Sequence, residues 1–313
     1  MVFTNKHNAS YLILIVLTGI VLLSSQQYDT SEKKHLPPTI ESNKNTFDNY
    51  WYQGKAEISS FTLNQAHYGE THQGTAVLIF VTEPFSKSRQ VKLNNIHGNE
   101  KDAVNILKLN LSKKFITGIY DYSILKSVFT PINLTKHPNT LKATSSIQEW
   151  CGHTFTQLNL GSLYYHMTLN SYYENEGDVT KEMEIVLLED EIWSRIRINP
   201  KSLPTGNVKI IPSISSSRLL HTSIDAETAK TTLMKHNNDD NLLTYKIKYL
   251  NSKRSLSIDF EKKFPHRIER WQESYFSSNK LMTTNAIRIK TILSDYWNFN
   301  SNENKSLRLQ LGL

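Results

Sequence analysis

The sequence predicts a mainly β protein: one large curved antiparallel sheet or a partly closed β-barrel, preceded by an N-terminal hydrophobic helix. The chain of 313 residues contains 15 Tyr, 12 Phe and 5 Trp, with many Thr, Ile and Val, which are residue types that strands favour. From residue 58 onward, short segments of alternating apolar and polar residues recur between turn residues. The alternating helices that a parallel sheet requires are absent from this sequence pattern.

The hydrophobic helix is predicted from residues 11–23, Y-L-I-L-I-V-L-T-G-I-V-L-L, which follow Lys6 and His7 and no acidic residue. This is the layout of a secretory signal, and with its flanks the run approaches the minimum length of a spanning helix. Residues 1–25 are therefore a signal peptide or an N-terminal membrane anchor, and the sequence leaves cleavage open. The preceding positive charge places the N-terminus in the cytoplasm and the body on the periplasmic side. Gln26 stands where a bacterial lipoprotein has its lipidated cysteine, which excludes lipid attachment there.

The rest of the chain divides into a linker and one domain. Residues 26–46 are polar and contain Pro37-Pro38, which is typical of a flexible spacer. Residues 47–313 form a single β-rich exported domain with no convincing internal boundary. The net charge is +7, but the basic residues are scattered, so a nucleic-acid patch is not predicted. Lipid, an anionic envelope polymer or another envelope protein is the predicted partner class.

Two hairpins have clear turn signals. Residues 58–68 and 71–81 flank Gly69-Glu70, and this turn would place Phe61 opposite Leu78 and His67 opposite His72. Residues 243–249 and 255–260 flank a polar turn over residues 251–254, which would place Tyr249 opposite Leu256.

Residues 184–198 are ambiguous, because their isoleucines fit both a helical and a strand period. We favour a strand over 191–198, since β-branched residues crowd it and Pro200 closes it. The other predicted strands cover residues 105–111, 115–131, 141–150, 153–160, 163–173, 267–275 and 285–293, and residues 89–93 are a possible short strand.

His67 and His72, with Glu70 in the predicted turn, are the best metal candidates in the sequence. Two imidazoles from paired strands can share a zinc ion, but such a site needs a third ligand and typically a fourth. The alternative is a pair of exposed histidines near a hairpin tip. No cofactor is predicted.

Cys151 and His153, in W-C-G-H, form the second candidate site. Side chains two residues apart in a strand point the same way, so a thiol–imidazole pair is feasible. No orienting group is identifiable, and the sequence favours a buried structural thiol. Residues 174–178 are interpreted as a polar turn rather than a calcium loop, and Glu189-Asp190-Glu191 as a surface acidic run. Phosphate-binding loops and hydrolase motifs are absent from the sequence.

Four stretches carry a resemblance: Y-W-Y-Q-G-K-A-E at 50–57, Y-G-E-T-H-Q-G-T-A-V-L-I-F-V-T-E at 68–83, I-Y-D-Y-S-I-L-K-S-V-F-T-P at 119–131 and S-S-I-Q-E-W-C-G-H-T-F at 145–155. In them the body resembles a family of uncharacterised Gram-negative cell-envelope proteins, commonly lipoprotein-like. Some members are labelled septum formation inhibitor Maf. True Maf proteins are nucleotide pyrophosphatases with an S-x-S-P-R-R-type motif in an α/β fold. This chain has neither, so that activity is disfavoured.

The sequence therefore predicts a non-enzymatic cell-envelope protein. Its β body would bind an apolar or amphiphilic ligand in the concave face, or an envelope partner. The alternative is an envelope hydrolase that uses Cys151 and His153, or a metal at His67 and His72.

Overall fold

The computed structural model describes residues 44–277 and 280–313. The predicted signal or anchor over residues 1–25, and the predicted linker up to residue 43, lie outside the described residues. Within the described ranges, no helix has the length and apolar character needed to cross a membrane.

The described body is built on one mixed sheet of 15 strands, which confirms the mainly β prediction. The strands are β1 (Ala56–His67), β2 (Glu70–Ser86), β3 (Ala103–Thr117), β4 (Tyr120–Pro131), β5 (Lys142–Glu149), β6 (Gly152–Leu160), β7 (Tyr164–Ser171), β8 (Val179–Glu184), β9 (Leu187–Leu188), β10 (Gly206–Ile211), β11 (Glu227–Lys235), β12 (Leu242–Tyr249), β13 (Ser255–Glu261), β14 (Ile268–Ser277) and β15 (Lys280–Ser294). The α-helices are short: α1 (Lys44–Trp51), α2 (Ile192–Ile198), α3 (Ile214–Leu219) and α4 (Leu307–Gln310).

The sheet is a meander whose two ends are consecutive in the chain. Its order runs from β8 back through β1, then from β15 back to β9. Neighbouring strands are antiparallel except for β9 and β10. The sheet is not closed, because the described pairings leave β8 and β9 as its two edges. Only Ile185 and Val186 separate these edges in the chain, and Lys209 of β10 pairs with Glu184 of β8 at 2.5 Å.

The first hairpin forms where predicted, but its register differs by two residues. The turn is Tyr68-Gly69, with φ of 50° and 78°, and not Gly69-Glu70. Two successive residues with positive φ are typical of the type I′ turn that matches strand twist. Phe61 therefore pairs with Ala76 and not with Leu78. A shift of two preserves the side-chain alternation, so the predicted inner face is retained.

The second hairpin shows the same kind of error. Its loop is residues 250–253, closed by the Tyr249 amide on the Arg254 carbonyl oxygen, and Lys253 there has φ 55°. Ile247, and not Tyr249, pairs with Leu256. Residues 251–253 are polar and belong to both the predicted and the observed turn, so composition alone does not locate the bend.

The strand predicted over residues 191–198 is wrong, because Ile192–Ile198 is the helix α2. Ile192 and Ile196 lie four residues apart, on one face of the helix, and both are fully buried. Burial of this face outweighs the weak helix propensity of β-branched residues.

Helix α2 packs between the two halves of the sheet. The Trp193 ring lies 5.2 Å from that of Trp271 on β14, and the Lys126 ammonium from β4 lies 5.8 Å from the Trp193 ring centre. Trp51 of α1 packs on Phe80 nearby. The four aromatic side chains belong to one large buried cluster, so helices and core residues occupy the inner side, where the sequence predicts a concave-face ligand.

The central strands are also covered on their outer side. Ile58, Val77, Ile79 and Ile292 face away from the main core and pack with Leu311 in a second cluster. The covering chain is the C-terminal segment, residues 295–313, which includes α4. The Ser60 hydroxyl donates to the Leu311 carbonyl oxygen and ties this segment to β1.

Candidate functional site

The two candidate metal-binding histidines lie beside each other at the end of the β1–β2 hairpin. His67 is buried, with Nε2 3.3 Å from the Tyr122 hydroxyl, and His72 Nε2 donates to the His67 carbonyl oxygen at 3.1 Å. Burial lowers the pKa of His67 to about 4. His67 pairs with exposed Glu70 and not with His72. No cluster of three His, Cys, Asp or Glu suited to a metal ion occurs among the described residues.

Cys151 and His153 are both exposed, so the expectation of a buried structural thiol is wrong. Cys151 lies in the β5–β6 turn, where its amide donates to Glu149 Oε2 at 2.7 Å. A hydrogen bond to Glu149 and the charge of that carboxylate raise the pKa of the thiol. A catalytic cysteine needs its pKa lowered, so this environment is the opposite of an activated nucleophile.

The predicted polar turn at residues 174–178 joins β7 to β8. Its Glu176 accepts from the Ser171 hydroxyl at 2.8 Å and pairs with Arg218 and His221, at 3.2 and 3.0 Å. The carboxylate therefore fastens the turn to the C-terminal end of α3 and to the residues just after it.

The acidic run Glu189-Asp190-Glu191 is buried, which corrects the prediction of a surface run. It lies on the inner side of the sheet, just before α2. Each carboxylate meets a different partner there, and most of these partners are distant in sequence. The sequence offers no spacing signal for such pairs.

Glu189 and Asp190 join opposite halves of the sheet. Glu189 Oε1 accepts from Nη2 of buried Arg254 at 2.7 Å, and the Tyr249 hydroxyl donates to the same carboxylate. Asp190 Oδ1 lies 2.6 Å from Nζ of Lys126 on β4. Residues from β4 and from the β12–β13 hairpin are thereby fixed to one short segment.

Glu191 and Glu57 hold the ends of α2. Glu191 accepts the Thr140 amide at 3.1 Å and lies 3.1 Å from Arg195 Nε. Glu57 of β1 binds the buried Arg197 guanidinium through both oxygens and accepts from the Tyr50 hydroxyl.

Each of these buried carboxylates lies beside a lysine or arginine of opposite charge, and the ion pairs act as structural anchors. Burial alone would raise the pKa of Glu273, but the charges of Arg254 and Lys113 outweigh it and hold the pKa at about 2. A carboxylate with so low a pKa, already bonded to arginine, is a poor general acid or base at neutral pH. The network therefore supports architecture rather than catalysis.

The outer side of the sheet carries a groove of about 850 Å³, which we call the outer groove. It lies between β1, β2, β3 and β15 and the C-terminal segment. Its floor is formed by Ile58, Val77, Ile79 and Ile292, with Thr75 and Ser112 beside them. Its wall is formed by residues of the C-terminal segment: Tyr296, Phe299, Leu307, Leu311 and Leu313.

Basic side chains line the outer groove. Lys55, Lys114, Lys305 and Arg308 are exposed and contribute to the lining, against Asp295 on the acidic side. An apolar floor beside such a group of cations suits a molecule with a hydrocarbon part and a negative charge. Ile58, Val77 and Ile79 share the β1–β2 hairpin, but Ile292 and the C-terminal wall lie more than two hundred residues away, so the sequence alone could not assemble this site.

No family model, no curated protein and no solved structure matches this chain.

Proposed function

We propose that this protein is a non-enzymatic cell-envelope protein that binds an amphiphilic ligand with an anionic head group in the outer groove. The observation that carries the proposal is the apolar floor of Ile58, Ile79 and Ile292 beside the cations Lys114 and Arg308. The groove volume of about 850 Å³ falls within the range of small-molecule sites, roughly 300–1,000 Å³. In this proposal the β body is a curved, incompletely closed scaffold.

The apolar floor supports an acyl or similar chain as one part of the ligand. Side chains such as Val77 and Ile79 are half-buried, because the C-terminal segment covers them only in part. A hydrocarbon chain along them would remove this remaining apolar surface from water, at roughly 25 cal/mol per Å².

The basic lining supports a carboxylate or phosphate head group. Lys114, Lys305 and Arg308 are exposed, so their positive potential extends to the groove entrance and attracts anions. An arginine also offers two parallel donors to a carboxylate or phosphate.

We propose that the body works on the periplasmic side of the envelope, with the apolar run 11–23 as its export signal or anchor. Mass spectrometry of the mature N-terminus decides between cleavage and retention. The hydrolase alternative is not adopted, because the described surroundings of Cys151 and of His67 favour neither an activated thiolate nor a metal ion.

Titration of the full chain with cis-parinaric acid, a fluorescent fatty acid, tests the function. The double variant Lys114→Gln/Arg308→Gln should bind at least about tenfold more weakly, as expected for the loss of two charge contacts of roughly 0.7 kcal/mol each. Lys246→Gln/Lys248→Gln is the matched control, because both lysines are exposed on β12, away from the groove.

The control should bind within about twofold of the unmodified chain, by the same affinity scale. The methyl ester of the acid has no carboxylate charge, so the two double variants should bind it with the same affinity. Equal weakening of both variants, or no binding by the unmodified chain, would refute the proposed site.

A further inference from the structure

Six hairpins turn at the same end of the sheet, which we call the hairpin end. They are β1–β2, β3–β4, β5–β6, β7–β8, β12–β13 and β14–β15. Because neighbouring strands are antiparallel through this part of the sheet, these six connections all lie at the same end of the strands.

Each of the six hairpins exposes a large apolar side chain there. Ile119, Trp150 and Tyr172 are 82%, 68% and 70% exposed at three of the turns. The other hairpins contribute Tyr68, Leu250, Phe276 and Leu281, all more than half exposed. Elsewhere in the described residues, comparable exposure is found at scattered positions: Leu163, Ile287 and Leu309.

We propose that the hairpin end inserts these side chains into the surface of a zwitterionic lipid bilayer. Successive hairpin tips stand roughly 10 Å apart, because strands are spaced by about 4.8 Å. The apolar groups are therefore too widely spread for one small ligand. Separate protruding aromatic and aliphatic tips suit the head-group region, where Trp and Tyr are enriched.

The charges at the hairpin end determine the kind of bilayer. At the hairpin tips the exposed acids outnumber the exposed lysines: Glu70, Asp121, Glu174 and Asp178 against Lys253 and Lys280. The acids would be repelled by an anionic surface. Attachment therefore depends on apolar insertion and should change little with salt.

The chain outside the described residues is long enough to allow this arrangement. The first described helix, α1, leads into Ala56, at the end of β1 opposite the hairpin end. For the hairpin end to face a bilayer that holds the N-terminal anchor, the intervening chain must span the length of the domain. This length is about 40 Å for a 12-residue strand. If residues 11–23 are held in the bilayer, as their sequence predicts, the residues from 24 to 43 can extend to roughly 65–70 Å.

Fluorescence quenching of Trp150 by brominated phosphatidylcholine tests the proposal in the full chain. Trp150 and Trp297 are the exposed tryptophans of the described residues, and Trp297 lies in the C-terminal segment. Vesicles of brominated lipid should quench the unmodified chain and Trp297→Phe. They should quench Trp150→Phe at least about threefold less.

A second pair of variants controls for the predicted anchor, which could hold any variant near the vesicle. Ile119→Ser/Tyr172→Ser should reduce Trp150 quenching at least twofold, whereas Leu163→Ser/Leu309→Ser, with similar exposure elsewhere, should leave it unchanged. Both should keep the melting temperature, because the substituted side chains are exposed. Addition of anionic phosphatidylglycerol should lower the quenching.

Trp150 fluorescence insensitive to brominated lipid would overturn the proposal. So would equal effects of the two double variants. Dimerisation in analytical ultracentrifugation that depends on Ile119 and Tyr172, without Trp150 quenching, would assign the hairpin end to a second copy instead. The groove variant Lys114→Gln/Arg308→Gln should retain Trp150 quenching, so this test is independent of the proposed ligand site.

Discussion

Arg254 links three parts of the interior. Its guanidinium bonds the carboxylates of Glu189 and Glu273, at 2.7 Å in both cases, and also the Ser216 hydroxyl at 3.1 Å. All four side chains are buried. A buried pair of this kind adds little compared with an apolar core, but removal of one partner leaves an uncompensated charge.

Arg254→Met should lower the free energy of unfolding by about 3–5 kcal/mol, because the buried carboxylates of Glu189 and Glu273 would lose the guanidinium that bonds both of them. Denaturant titration measures the loss. Arg267→Met is the matched control: its pair with Glu261 is partly exposed, so it should cost about 1 kcal/mol or less. A loss for Arg254→Met as small as that of the control would contradict a structural role for the network.

Stability should fall as the pH is lowered from 7 to 4. Burial lowers the pKa of His67 and of His266 to about 4, so the folded state favours the neutral rings. Their contribution is present above the unfolded pKa, about 6.5, and is lost as the pH falls towards 4. Below the unfolded carboxyl pKa of about 4.3, Glu273, with a folded pKa of about 2, adds a loss of the same sign.

Linkage predicts about 2 kcal/mol lost per histidine between pH 7 and pH 5. Urea titrations at several pH values measure this slope, and His67→Gln should flatten it. An unfolding free energy that is the same at pH 5 and pH 7 would contradict the buried, neutral histidines.

At the scale of elements, the C-terminal segment forms a wall of the outer groove. Leu311 is buried against Ile58 and Val81, and its carbonyl oxygen accepts from Ser60. Leu309, two residues earlier in the chain, is exposed and is outside the groove lining. Variants at Leu311 and Leu309 therefore distinguish the effect of the groove wall from a general effect of substitutions in this segment.

Leu311→Ala should weaken binding of cis-parinaric acid and lower the unfolding free energy by about 2 kcal/mol, since most of a buried leucine side chain is removed at the edge of the core. Leu309→Ala should change both by less than about 0.5 kcal/mol. Fluorescence and denaturant titrations measure the two effects. Equal responses of the two variants would show that the segment is not a wall of the site.

The strand faces could be predicted from the sequence, but the registers could not. Alternation in β1 and β2 marks Phe61 and Leu78 as inward residues whatever the turn. The turn position depends on Tyr68 adopting positive φ, which is uncommon for a tyrosine, so the sequence predicts the turn at Gly69-Glu70 instead. Strands β8, β10 and β11 were missed because their alternation is short and mostly polar.

The outer groove could not be predicted from local sequence patterns, for a different reason. Ile58 and Ile79 pair within the β1–β2 hairpin, but Ile292 joins them only through the pairing of β15 with β1, across more than two hundred residues. The acidic run before α2 reads as exposed in the sequence because its cations, Lys126 and Arg254, are 64 and 65 residues away. Non-local pairing, rather than composition, creates both features.

For the whole molecule, the sheet separates a filled inner side from a partly open outer side. Both halves of the sheet pack on α2 and its preceding carboxylates, whereas the outer groove, the site we propose for a ligand, lies on the other side. We therefore propose that an anionic amphiphile binds on the outer face of β1, β2 and β15.

Photo-crosslinking of the full chain with a diazirine fatty acid, followed by peptide mass spectrometry, measures that location directly. We predict adducts in the peptides that contain Ile79, Ile292 and Leu311, all of them competed by unlabelled fatty acid and lost in Lys114→Gln/Arg308→Gln. Competed adducts on the inner residues Phe61, Trp193 or Trp271, with none in the outer groove, would contradict the account.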